Sequence, residues 1–526
     1  MSLHEKLCKL RNDANLTQQK MAEILEVSPQ AVQKWESGET KPSLEKLIRI
    51  SKYFGASLDK LVLERDSRLN ETLFYQKRIE PNWANIPLWE SYSAELLTEY
   101  RQCIDEGLDV AHYEDLFRAI AKLPKGESKE RLSDIIFDIV TNADIRAEHP
   151  YTEPSDLITI KKLRKPYPLP QSAHNEISLS DRIHGAWMGR ICGCLLGKTV
   201  EGIRTDELNR LLTESKNMPM HRYIRRTDIT DDMIKQFRYP IATRCFGDTV
   251  NGMPVDDDTN YMIVAQELIE RFGRDFTSDD VATLWLRLQH KNAYCTAERV
   301  AFCNFVKGFA PPKSAEYKNP YREYIGAQIR GDYFGYINPG DPEAAAEMAF
   351  RDASISHIKN GIYGEMFVSA MIACAAVTDS IPDILRAGLA QIPATSRLYK
   401  KIETVIQEFE AGVSEFQCFA KIHKEFDEFN DYDWTHTVSN AMIVAAALLY
   451  GNGDFGKSIC LAVQAGFDTD CNGATVGSIL GMRGGIGTIG NEWTEPIGDT
   501  LHTTIFGLET VSIAKRAEMT LHHIRQ

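Results

Sequence analysis

Three short acidic runs and one isolated glutamate hold the side chains best suited to chemistry in this 526-residue sequence. Asp256-Asp257-Asp258 precedes Thr259, and Asp468-Thr469-Asp470 precedes Cys471 and Asn472. Glu201 stands in LLGKTVEGI, and Asp352-Ala353-Ser354-Ile355-Ser356-His357 lies between them in the chain. Asp and Thr at a helix start cap free N–H groups and suit the helix dipole, which accounts for one or two carboxylates at each place. Three in a row, with D-T-D elsewhere, exceed what capping needs. Carboxylates a few ångströms apart cannot all ionise without a compensating cation. Hard oxygen donors suit Mg²⁺, Mn²⁺ or Ca²⁺ better than zinc. On the residues alone, capping and metal binding stay open with equal weight, because spacing does not say whether the runs meet.

The elements that must position these groups read as helices. Asp181 to Gly197 carries Gly185, Gly189, Gly193 and Gly197, one stripe that lets another backbone come close. That stripe costs up to about 1 kcal/mol of helix stability per glycine, so it must serve packing. Glu201 follows it directly. Asn260 to Phe272 continues from the first acidic run, and GATVGSILG from the second. The Ala-rich segments 364–377 and 439–449 read as tightly packed central helices. No regular strand–helix alternation is present, which disfavours a parallel α/β sheet. The predicted fold class is all-α.

The first 66 residues read as a unit of their own. They hold eleven basic and ten acidic side chains, in a chain whose net charge is −14. Thr17 is placed to cap a helix ending at Leu25. Ser28 precedes Pro29 at a first helical position, and that short helix ends at Ser37-Gly38. Ser43 starts a third run with Leu44, Leu47 and Ile48 expected on its inner face, while Val27, Val32 and Trp35 close the core. Two short helices about a tight turn, the second exposing Gln30, Ala31, Gln33 and Lys34, suit entry into a major groove. There Gln pairs with adenine and a methyl touches thymine. The segment LTQQKMAEILEVSPQAVQKWESGETKPSLEKLIRISKYFGAS resembles the phage-repressor-like (XRE/Cro) helix-turn-helix family. The resemblance implies binding to double-stranded DNA through Gln18, Gln30, Ala31, Gln33 and Lys34. It leaves a homodimer open, since related repressors read palindromes in pairs.

Residues 67–178 are expected to form a helical extension, with helices over 94–107, 113–123 and 129–140, and a Pro-rich lead-in at 165–175. They show no dense cluster of chemically useful residues, and 142–156 reads as a polar surface connection.

Four motifs in order, DRIHGAWMGRICGCLLGKTVEG, DDDTNYMIVAQEL, RDASISHIKNGIYGEMFVSAMIA and GFDTDCNGATVGSILG, with Trp493 downstream, resemble the ADP-ribosylglycohydrolase family. That family includes the dinitrogenase-reductase-activating glycohydrolases, and the resemblance runs over about residues 180–495. It implies a compact all-α domain over 179–526, two Mg²⁺ (or Mn²⁺) ions, and hydrolysis of the bond joining ADP-ribose to an acceptor. Position by position, it implies metal ligation by Glu201, Asp256, Asp257, Asp258, Asp468, Asp470 and Cys471. Glu201, Asp257 and Asp470 would take or deliver the proton. The loop around the ribose and phosphates falls on Gly326 to Asp332, with Gly326, Arg330, Gly331, Asp332 and His357 as substrate-binding residues. This chain departs from the family at three places: Cys194 and Asp256 stand where the family has Asp and Thr, and Cys471 stands where it has Thr. Two alternatives remain: a transcriptional regulator that senses an ADP-ribose-like ligand, and a catabolic glycosidase acting on a free nucleoside-like or sugar metabolite.

Composition narrows the classes. The net charge and a pI near 5.5 argue against a surface that coats nucleic acid or anionic lipid throughout. No apolar run is long enough to span a membrane, and the N-terminus lacks the apolar stretch of a signal peptide. Eleven scattered Cys, an odd number, read as reduced thiols of a cytoplasmic protein, without zinc-knuckle spacing. GMRGGIG (481–487) lacks the Lys-Ser/Thr of a phosphate P-loop.

Overall fold

The computed structural model describes residues 1–62, 81–169 and 177–525. The expected boundary at 66/67 and the end of the Pro-rich lead-in lie outside the described residues. The chain divides into two compact units, Met1–Trp83 and Ala84–Gln526.

Among the described residues the first unit packs five α-helices: Leu3–Asp13, Gln18–Leu25, Pro29–Ser37, Leu44–Phe54 and Leu58–Val62. Their starts are set by side-chain caps. Thr17 accepts from the Lys20 N–H, Ser28 from Ala31 and Ser43 from Lys46. Gly38 closes the third helix at φ +80°, a conformation open to glycine without strain. Leu7, Met21, Leu25, Val32, Trp35, Ile50 and Leu61 form the core, with Val27 packed on its edge. One expectation fails on the fourth helix. Its buried face is Leu47 and Ile50, whereas Leu44 is 68% and Ile48 38% exposed. At 3.6 residues per turn, Leu44 and Ile48 fall together on the flank of the face that Leu47 and Ile50 share.

Among the described residues the second unit is helical apart from one small antiparallel pair, β1 (Thr500–His502) and β2 (Thr510–Ser512), with Thr500 opposite Ser512. Helices Lys359–Ala375 and Thr437–Gly451 are buried almost throughout and form its centre. The described part of the extension, 84–169, belongs to this unit. It contains helices Leu96–Asp105, Glu114–Ala121 and Glu127–Thr141, and a further short one, Leu157–Lys162. The stretch 142–156 runs over the surface as expected, with no buried residue, and is tied down there. Arg397 holds Glu153 at 2.7 Å, Thr395 donates to the Thr152 carbonyl at 2.7 Å, and Tyr363 donates to that of Pro154. The buried Arg322 guanidinium ties down Glu99 at 2.9 Å and Glu106 at 2.6 Å.

One packing event positions the site. The glycine helix, Leu179–Lys198, runs antiparallel against Thr469–Gly484, which has a matching stripe of its own. A Cβ on Gly185 would lie 2.5 Å from the Gly481 carbonyl oxygen, one on Gly189 2.2 Å from that of Gly477, and one on Gly193 1.9 Å from that of Gly473. Only glycine on both sides permits this backbone contact. At its end the Thr469 hydroxyl donates to the Gly197 carbonyl at 2.9 Å. The C-terminus of one helix, with Lys198 as its last residue and Glu201 just beyond, is thereby set against the N-terminus of the other, with Asp468 and Asp470.

Candidate functional site

The two acidic runs meet. Asp256 caps helix Asp257–Phe272, accepting from the Asp258 N–H at 2.9 Å through one oxygen. Its other oxygen takes the Lys198 ammonium at 2.6 Å. Asp258 is fully buried. Its Oδ1 accepts from Arg190 at 2.9 Å, and its Oδ2 has no hydrogen-bond partner. Asp470, in the first turn of Thr469–Gly484, is buried with Oδ1 likewise unpartnered. Donor atoms of Asp258, Asp470 and Cys471 lie within 4.8 Å of one another, as do those of Cys194, Asp256 and Asp258. Glu201 stands at the rim, 3.7 Å from Arg244.

The electrostatics follow from that crowding. Burial, then the neighbouring carboxylates, pushes Asp257 and Asp470 well above the usual carboxylate range. Burial also raises Asp258, against the pull of Arg190. Burial followed by Asp256 and Asp468 pushes Glu201 up to about 7. The Cys471 thiol is driven well up, first by burial and then by Asp258, so it stays protonated. Unpartnered buried carboxylate oxygens cost free energy unless a cation or donor meets them. A hard divalent cation fits this donor set, and the neutral thiol of Cys471 adds little to it.

One side of this cluster opens onto a cavity of about 380 Å³. Glu201, Asp257, Asp468, Asp470 and Cys471 form its acidic wall, and Trp89, Tyr321, Tyr324 and Trp434 an aromatic one. Trp89 comes from the extension, has φ +65° and lies against the Arg299 guanidinium, 5.0 Å from the ring centroid. Such a φ in a bulky residue is uncommon and marks positions held by their surroundings. Leu88, Glu95 and Thr98 join it on the wall. Sequence reading found no chemistry in this stretch, because a lone aromatic in an aperiodic segment gives no signal. It also passed over Lys198, Arg190 and Glu298. Glu298 is buried on the cavity wall, and burial, partly offset by Arg330, raises it to about 7.

The expected phosphate loop is arranged differently. Gly326 lines the cavity, and a Cβ there would strike Glu298 at 1.9 Å. Arg330 is 2% exposed and does not reach the cavity as a free fork. It bonds Asp352, Glu298 at 3.1 Å and the Ser356 hydroxyl at 2.9 Å, and lies over the Trp285 ring. Its guanidinium is spent on internal carboxylates, so the expected diphosphate grip by Arg330 is corrected. Gly331 packs on Ser369, and Asp332 receives Arg190 through both oxygens at 2.9 Å. His357 is buried, with Nδ1 2.8 Å from the Ser356 hydroxyl, and burial holds it well below the usual histidine range. None of these four lines the cavity.

In the first unit, helix Pro29–Ser37 exposes Gln30, Gln33 and Lys34, with Ala31 half-buried beside them. Gln18 is half-buried and donates to Glu36 at 2.8 Å; Glu36 in turn pairs with Arg11 at 2.7 Å.

Comparisons with known proteins agree with both halves. Residues 9–61 match a family model described as helix-turn-helix. The curated HTH-type transcriptional activator BcrR of Enterococcus faecalis is 48% identical over 62 residues, 12% of this chain. The match spans 30% of that relative's length. A solved structure titled "ADP-ribosylglycohydrolase-related protein complex" is 17% identical, covering 66% of this chain and 98% of that one at a TM-score of 0.43. Residues 175–522, more than half of the chain, match the model described as ADP-ribosylglycohydrolase. The chain therefore belongs to the ADP-ribosylglycohydrolase family and carries a helix-turn-helix domain at its N-terminus.

Proposed function

We propose that the second unit is a divalent-cation-dependent glycohydrolase. It cleaves the bond between the anomeric carbon of ADP-ribose, or of a related ribosyl group, and an acceptor. The helix-turn-helix unit addresses double-stranded DNA in the cytoplasm. The observation that carries the hydrolase reading is the convergence of Asp258, Asp470 and Cys471 within 4.8 Å, with two buried carboxylate oxygens lacking partners, where Asp470 and Cys471 line a cavity and Asp258 lies buried behind them. When bound, Mg²⁺ or Mn²⁺ supplies the positive charge that lets these carboxylates ionise together and polarises oxygen ligands.

Asp258, Asp468 and Asp470 would hold the cation, and Arg190 fixes Asp258 by donating to one of its oxygens. Glu201, at the rim with a proton affinity near neutrality, accepts the proton of the attacking water. Asp257 and Asp470 place negative charge beside the anomeric carbon as it gains oxocarbenium character. The aromatic wall offers flat faces to a nucleobase and excludes water.

Full-length protein with Mg²⁺ is expected to release ADP-ribose from an ADP-ribosylated arginine or serine peptide, an ADP-ribosylated nucleic acid, or a free ribosyl metabolite, and to stop when EDTA is added. No turnover on any of these classes, with or without metal, overturns the hydrolase reading. A second reading, a regulator that senses an ADP-ribose-like ligand, is favoured by the fused DNA-binding unit. It predicts saturable ADP-ribose binding without turnover.

A further inference from the structure

The acidic centre is not evenly open. Both oxygens of Asp256 are engaged, one by the Asp258 N–H at 2.9 Å and the other by the Lys198 ammonium at 2.6 Å. Beside it the family's Asp is replaced by Cys194, a buried thiol whose sulfur shares a 4.8 Å cluster with Asp256 and Asp258. Cys194 and Lys198 are one turn apart on the glycine helix and so share a face. On this side a thiol stands where the family has a carboxylate, and the Lys198 ammonium is already paired with Asp256. The other side is unsatisfied: Asp258 Oδ2 and Asp470 Oδ1 are buried without partners, within reach of Cys471.

We propose that the centre holds one divalent cation rather than two, on the Asp258–Asp470 side, and that the Lys198 ammonium occupies the place of the second. This rests on the reading that the acidic cluster binds a divalent metal. A lysine ammonium is a compact point charge with donors only, so it balances Asp256 permanently but offers no open coordination position. The Asp at 256, where the family has a neutral Thr, is the matching change. Its negative charge is met by the Lys198 ammonium at 2.6 Å.

The test counts metal. Full-length protein is stripped with EDTA and titrated with Mn²⁺; bound metal per chain is measured, and the electron paramagnetic resonance spectrum records whether the ions are coupled. Wild type is expected to bind one Mn²⁺ with an isolated-ion spectrum. The double variant Cys194→Asp/Lys198→Met is expected to bind two, with spin–spin broadening, and Lys198→Arg to stay at one. Two coupled ions in wild type overturn the proposal while leaving the hydrolase reading intact. A double variant with wild-type circular dichroism that stops at one ion also overturns it. If the double variant does not fold, the wild-type count decides alone. No bound Mn²⁺ in wild type sinks the metal-dependent reading and this proposal together.

Discussion

The contact between the two glycine stripes makes a sharp prediction for Gly193→Ala. An alanine Cβ there would sit 1.9 Å from the Gly473 carbonyl oxygen, against 3.4 Å for an ordinary contact, so the two helices must part by about 1.5 Å. The obstacle is main chain, so no rotamer change relieves it. Overpacking of this kind costs about 1–3 kcal/mol, and a backbone obstacle puts it at the upper end. Alanine's better helix propensity returns about 1 kcal/mol. The net loss is about 2 kcal/mol, which lowers the melting temperature by about 2 °C in a unit of this size. The same parting draws Arg190, which holds Asp258 at 2.9 Å from the glycine helix, away from Asp470 at the start of the other helix, and so opens the Asp258–Asp470 pair. Metal affinity is therefore expected to fall at least about tenfold, which corresponds to 1.4 kcal/mol of binding energy. The assay is thermal unfolding and Mn²⁺ titration of Gly193→Ala beside Gly487→Ala. A Cβ at Gly487 meets nothing within 4 Å, so that variant should match wild type. A Gly193→Ala protein that melts and binds Mn²⁺ like wild type would refute this account of how the site is assembled.

Other perturbations test separate parts of the account. Stability of the metal-free protein should fall as pH rises from about 4.5 to about 7. The folded form of Glu298 keeps its proton up to about 7, against 4.5 ordinarily, so its stabilising contribution is complete below 4.5 and lost through 7. That single buried group is worth on the order of 3 kcal/mol. Chemical denaturation at several pH values measures the slope, and a flat or rising profile contradicts it. Saturating Mg²⁺ should shift the balance the other way by favouring the ionised acidic cluster, so an unchanged profile with Mg²⁺ argues against a cation at that cluster. Trp89→Ala is expected to raise KM for a nucleobase-bearing substrate while leaving kcat within about twofold, since uniform binding is what it removes. An unchanged KM would remove Trp89 from the binding wall. In the N-terminal unit, Gln33→Ala should alter which sequences are enriched from a random duplex pool. Lys34→Ala should instead weaken binding evenly and lower the salt slope by about one. Neither should touch hydrolysis.

Much of the head was legible because its signals are local. Thr17, Ser28 and Ser43 each accept from an N–H three residues on, and Pro29 fills a first helical position, so caps read from the sequence appear where expected. The misplacement of Leu44 and Ile48 shows where locality ends, since three apolar residues fit two overlapping faces and only the partners of Leu47 and Ile50 choose between them. In the body, the first glycine stripe announced a close approach but not its partner. Gly473, Gly477 and Gly481 carry the same spacing nearly 300 positions away, and the pairing is a tertiary fact. Arg330 looked like a phosphate-binding residue beside glycines. Carboxylates from separate elements, Glu298 and Asp352, claim it in the fold. Trp89 was invisible for a related reason, since its role depends on a cavity built by Tyr321, Tyr324 and Trp434 from elsewhere in the chain.

The central claim is that carboxylates from two distant segments jointly hold a divalent cation beside the cavity. Calorimetric titration of Mg²⁺ into EDTA-stripped full-length protein tests it most directly when run on wild type, Asp258→Asn and Asp470→Asn. Saturable binding by wild type and its loss in each folded variant, one from either segment, is the predicted result. Binding of Mg²⁺ by both variants with wild-type affinity would contradict it.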